Sequence, residues 1–189
     1  MLLRALPLLG LLLCPACDSD PRDDCEPPSG AEGFEIGTGE ICFERVKDGQ
    51  AVSKMSGPQG GYHLWLALGC TDCGVDARVD YRLLDPATGE LLANTAGLTS
   101  VIAEFYGEEW PQSSGLQVGL PGGGFIDDPS EPDLDIPEGT PFRLEVTVRT
   151  KDGGTVLHQG TRDLVMGKTV NWNPCEADDS CGDDGSFAN

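Results

Sequence analysis

Three groups of residues carry the chemistry that this sequence could support. Cys70-Thr71-Asp72-Cys73 has the C-x-x-C spacing of a redox dithiol, and such a pair works when one thiolate is stabilised, most simply at a helix N-terminus. Here Gly74, Val75 and Asp76 lead straight into residues of strand character, so a structural disulfide in a strand connection is the expected use of the pair. The thiolates of Cys70, Cys73, Cys175 and Cys181 could together hold zinc, which favours four-coordinate sulfur and nitrogen sites. His63 and His158 are the only histidines. With one cysteine thiolate, and Met55 or Met166 as a weak ligand, they have the residue types of a copper centre. Their spacing matches no copper loop, and His63 stands among large apolar residues, so a partly buried structural histidine is expected there. Asp127, Asp128, Asp133 and Asp135 lie in the acidic stretch 127–138 and could offer oxygen atoms to Ca²⁺, without the glycine-centred spacing of an EF-hand loop.

Catalytic signatures do not accompany these groups. The sequence holds no Gly-x-Ser-x-Gly elbow, no His-Glu-x-x-His and no phosphate-binding glycine loop. Glu108 and Glu109 are adjacent in a turn-rich stretch before Trp110-Pro111, which is a poor arrangement for an acid and base pair. No enzyme activity and no obligatory cofactor are expected, with calcium as the one ion the acidic stretch could take.

The elements that must position these residues read as short strands. The chain of 189 residues suits one core. Its 26 glycines and 14 prolines punctuate it too often for long helices. Lys and Arg number 12 against 32 Asp and Glu, a net charge of −20 that opposes binding to nucleic acid. In Phe142 to Arg149, Phe142, Leu144, Val146 and Val148 alternate with polar residues, and Lys151-Asp152-Gly153-Gly154 turns the chain into Thr155 to Val165, a hairpin. Arg78 to Leu84 alternates similarly, and Asp85 to Gly89 turns it into Glu90 to Asn94. Tyr62 to Leu68 is apolar on both faces, with Leu64, Leu66 and Leu68 on one and Trp65 and Ala67 on the other, as in a central strand. With Glu40 to Val46, Leu98 to Tyr106 and Gly115 to Leu120, about seven or eight strands predict an all-β, antiparallel sandwich.

At the N-terminus, Met1 to Arg4 is a basic start, Ala5 to Leu13 is apolar, and Cys14-Pro15-Ala16-Cys17 precedes an acidic run. This is the layout of an export signal, too short to span a bilayer. Its Ala16-Cys17 end resembles the lipobox of bacterial lipoproteins. The resemblance implies a signal peptide over 1–16 and an acylated Cys17 anchoring the chain in the membrane; ordinary signal peptidase cutting after Ala16 is the alternative. Residues 17–32 are acidic and proline-bearing, a disordered tether before a domain over 33–174 and an acidic tail over 175–189.

If Cys14 leaves with the leader and Cys17 is acylated, Cys25, Cys42, Cys70, Cys73, Cys175 and Cys181 remain. An even set in an oxidising compartment reads as three disulfides; several connectivities are open, and loop proximity favours Cys25–Cys42, Cys70–Cys73 and Cys175–Cys181.

Ile136-Pro-Glu-Gly-Thr-Pro-Phe-Arg-Leu-Glu-Val146 resembles the corner before strand F of fibronectin type III and immunoglobulin-like domains. That family usually has a tyrosine whose hydroxyl bonds back to the corner; Phe142 lacks it, which leaves this corner to packing. The whole chain resembles immunoglobulin-like lipoproteins of Gram-negative bacteria, some with a stretch like Gly57 to His63. That resemblance brings no activity with it; the leader, the strand alternation and the lack of catalytic motifs predict a binding or structural module of the cell envelope, with an envelope protein or glycan as partner and the loops 57–61 and 121–141 as the candidate binding surface. The alternative is a periplasmic metal-binding or dithiol redox protein using His63, His158 or the Cys70 and Cys73 pair.

Overall fold

A computed structural model of the chain describes Arg22, Cys25 and residues 33–57, 61–92, 100–107, 110–120 and 136–171. These form nine strands: β1 (Phe34–Thr38), β2 (Glu44–Arg45), β3 (Ala51–Ser56), β4 (Tyr62–Cys70), β5 (Asp76–Leu84), β6 (Ser100–Glu104), β7 (Gln112–Leu120), β8 (Pro141–Arg149) and β9 (Val156–Asn171). No α-helix occurs among the described residues, and none there is long and apolar enough to cross a membrane.

The strands belong to one mixed, curled sheet. β4 is its hub. One edge pairs along its length with β7; the other pairs with β1 towards its end and with β3 at its start. β3 then runs parallel to β9, and β9, β8, β5 and β6 continue antiparallel. The parallel β3–β9 pairing corrects the expectation of a wholly antiparallel arrangement. The sheet curls far enough for Tyr81 on β5 to reach β7, where its hydroxyl donates to the Gln117 carbonyl at 3.3 Å and accepts from the Gly119 amide at 3.4 Å.

The alternation read from the sequence produces this curl, because each apolar face must be covered. Phe142, Leu144, Val146 and Val148 of β8 and Ala77, Val79, Tyr81 and Leu83 of β5 are buried in the main core beside Leu64, Leu66 and Leu68 of β4. β4 is covered on its second face too. Ala67 packs there with Phe43 and Trp110, whose rings meet edge-on at 4.8 Å. β4 is thus covered on both faces around Ala67, whereas Tyr62 and Trp65 stay half-buried.

The hairpin of β8 and β9 forms as expected, with Thr150 and Thr155 closing its turn. Phe142 is fully buried, but its corner is held by more than packing: the Gly139 amide donates to the Met166 carbonyl at 2.8 Å, and the Met166 amide to the Thr140 carbonyl at 2.9 Å. One expected strand shrinks. Glu40 to Val46 keeps only Glu44–Arg45, because Phe43 turns onto β4 and Cys42 is bonded to Cys25. Among the described residues, the return after Gly89 forms a bridge between Leu91 and Leu84.

Candidate functional site

Cys70 ends β4, and the connection to β5 begins with Thr71 and Asp72. Backbone bonds clamp its root: Cys70 N–H to the Pro111 carbonyl at 2.8 Å, Thr71 N–H to Gly33 at 3.0 Å, and Phe105 N–H to Val75 at 2.8 Å. Gly74, at a φ of 78°, makes the turn into β5 in the left-handed region that a side chain disfavours. Cys70 and Cys73 are buried beneath this loop, whereas Thr71, Asp72, Gly74 and Val75 are exposed. The two cysteines are joined in a disulfide, the pairing expected from their proximity.

His158 reaches the same place from β9. It sits opposite Val148, next to a register shift in the β8–β9 ladder. Its ring stacks on Phe34 of β1, 5.2 Å between centroids and 16° from parallel. Gly160, two residues on, makes that approach possible, since a Cβ there would lie 3.0 Å from both Ile36 and Phe34. Held this way, His158 Nε2 lies 2.5 Å from Asp72 Oδ1, and Asp72 Oδ1 lies 3.6 Å from Cys70 Sγ. The donor atoms of Cys70, Asp72, Cys73 and His158 all fall within 4.8 Å of one another.

The pair from one reading and the histidine from another are thus brought together, with Asp72 between them. His63 is not. It stands near the start of β4, edge-on to Trp65 at 4.5 Å, its Nε2 buried without a hydrogen-bond partner. Burial holds its pKa below the ordinary histidine value. Among the described residues no cluster joins both histidines as a copper centre would require, and Met166, one of its candidate ligands, is fully buried core. Met55 lies across the β3–β4 pairing from His63.

Cys25–Cys42 is also a disulfide, and Arg22 lies over the Tyr106 ring at 5.3 Å. Part of the expected tether is therefore fastened to the body. Cys17, Cys175, Cys181, Asp127, Asp128, Asp133 and Asp135 lie outside the described residues. So do the proposed lipidation, the third disulfide, the calcium ligands and most of the two loops named for binding. The four-cysteine zinc reading meets a closed Cys70–Cys73 bridge at one half.

Two polar features escaped sequence reading. Lys54 points inward from β3 and is buried, its Nζ 3.3 Å from the Ile136 carbonyl and 4.5 Å above the Tyr62 ring. Its place two residues after buried Val52 is the signal that could have revealed it. On the outer face of β5 and β8, Asp80 accepts from Ser100, Arg78 and Arg149. Burial raises this carboxyl, but the three hydrogen bonds outweigh it and hold the pKa below the usual carboxylate value. The groove on this face is lined by such paired charges, Arg82 with Glu145 among them.

Compared with known proteins, the chain matches no protein-family model, no curated protein and no solved structure.

Proposed function

We propose that this protein is a lipid-anchored module of the bacterial cell envelope, built as an immunoglobulin-like sandwich, that acts by binding or by structure rather than by catalysis. The observation that carries the reading is the Cys25–Cys42 disulfide. A bond that fastens the leader-proximal segment to the body suits an exported chain in an oxidising compartment. With acyl chains on Cys17, the stretch from Cys17 to Cys25 reaches at most about 28 Å, so the body is held close to the bilayer. Support for the sandwich comes from the curl of the single sheet, which carries Tyr81 on β5 far enough to bond to β7. The partner in this reading is an envelope protein or glycan.

Fractionation of bacteria expressing the full chain tests the anchor. The wild type is expected in the membrane fraction, released by detergent, and Cys17→Ser in the soluble fraction. A wild type that is soluble contradicts the reading.

A second reading, a periplasmic metal-binding or dithiol redox protein, is favoured by one observation: His158 and Asp72 converge on the Cys70 and Cys73 pair.

A further inference from the structure

We propose that Cys70, Cys73, Asp72 and His158 form a Zn²⁺ site in the dithiol state of the protein, which the Cys70–Cys73 disulfide closes. The proposal deepens the metal-binding reading and is independent of the lipid anchor. Two thiolates, an imidazole and a carboxylate are a donor set that zinc takes in tetrahedral geometry. Bond lengths of about 2.0 to 2.3 Å place the ligand atoms of such a site about 3.3 to 3.8 Å apart. The four donor atoms already lie within 4.8 Å of one another, so small side-chain movements suffice.

The surroundings are organised for ligation. His158 is fixed by its stack on Phe34, for which Gly160 leaves room. That orientation presents Nε2 towards Asp72 and the sulfurs. One side is closed by core, where Cys70 and Cys73 are 0% and 5% exposed. The other is open, with the Asp72 side chain 69% exposed and that of His158 22% exposed. An ion can therefore enter past Asp72, and the two cysteines belong to a short connection whose other residues, Thr71, Asp72, Gly74 and Val75, are exposed, the kind of segment that opens locally. The Cys70–Cys73 bridge spans 3 residues against 17 for Cys25–Cys42. It restricts the unfolded chain less, so opening it costs less stability than opening Cys25–Cys42 does.

The chemistry balances with a small dithiol as reductant. Its thiolate attacks one sulfur of the Cys70–Cys73 bond, a mixed disulfide forms, and its second thiol resolves it. The reductant leaves as a disulfide, having delivered two electrons and two protons, and Cys70 and Cys73 become thiols. Zinc then binds both sulfurs as thiolates and releases their two protons. His158 Nε2 and Asp72 exchange their mutual contact for the ion.

Cobalt(II) titration of the full chain, before and after reduction by a phosphine, tests the site. Reduced wild type is expected to bind one Co²⁺ with sulfur-to-metal charge transfer and the intense visible bands of a tetrahedral ion, and Zn²⁺ is expected to displace it. Unreduced protein is expected to show neither band. His158→Ala and His158→Gln are expected to weaken binding at least about tenfold, while His63→Ala leaves it unchanged. A reduced wild type without these bands overturns the proposal. So does His158→Ala or His158→Gln with wild-type affinity, since the cobalt would then sit on other thiols. The membrane distribution of Cys17→Ser is unaffected by either result, so the two proposals fail separately.

Discussion

The indole of Trp110 occupies the space into which Gly69 would project a side chain: a Cβ on Gly69 would lie 1.6 Å from Trp110 Cζ2 and 1.7 Å from Cη2. No rotamer change of Gly69→Ala relieves that overlap, so the ring must leave and expose Phe43 and Ala67, its partners in the outer cluster. The loss expected is about 3 to 5 kcal/mol, the range for deleting a large buried aromatic. Urea unfolding checks it. A change below about 0.5 kcal/mol, the range of ordinary surface substitutions, contradicts this packing.

The Cys25–Cys42 bridge closes a loop with a sequence separation of 17, for which chain entropy gives about 3 kcal/mol. Removing it in Cys25→Ala/Cys42→Ala is expected to lower stability by about that amount and to release Arg22 from the Tyr106 ring. Denaturant unfolding of the double variant under non-reducing conditions measures the first effect. Unchanged stability would mean that the bridge constrains nothing.

His63 links stability to pH. Burial lowers its pKa from the ordinary 6.5, so the folded ring stays neutral where the unfolded chain already takes up a proton. Its contribution is present above about 6.5 and is lost as the pH falls from there towards the folded value. Wild type is expected to lose more stability than His63→Phe between about pH 7.5 and 5.5. Urea midpoints at the two pH values give the comparison, and equal losses contradict it.

Asp80 acts in a lower window. Its folded pKa is held below the ordinary 3.8 by Ser100, Arg78 and Arg149 acting against burial. Its stabilisation is therefore complete above the unfolded value and disappears as the pH falls through the folded one. Asp80→Asn is expected to flatten the dependence of Tm on pH below about pH 4. An unchanged slope in the variant counts against the three hydrogen bonds.

The sequence made legible what depends on neighbours along the chain. Strands β5 and β8 alternate cleanly, and β4 is apolar on both faces, so each is readable from composition and period. β1 and β3 were not expected. Phe34 to Thr38 is short and carries Glu35 and Gly37, and Ala51 to Ser56 buries Lys54 where the pattern calls for an apolar residue. The parallel pairing of β3 with β9 joins residues more than a hundred positions apart, such as Val52 and Met166, and no local period encodes it. The candidate site divides in the same way. Cys70 and Cys73 announce themselves by spacing, whereas His158 reaches Asp72 across 86 residues and is aimed by Phe34 and Gly160, neither of which carries a chemical signature.

The most direct test of the anchored, disulfide-stapled envelope module is the intact mass of the full chain expressed in bacteria and purified from the membrane, with alkylation before and after reduction. The account predicts a mass that begins at Cys17 and carries acyl chains, with no cysteine alkylated before reduction and Cys25, Cys42, Cys70, Cys73, Cys175 and Cys181 alkylated after it. An unlipidated chain whose Cys70 and Cys73 alkylate without reduction would contradict it.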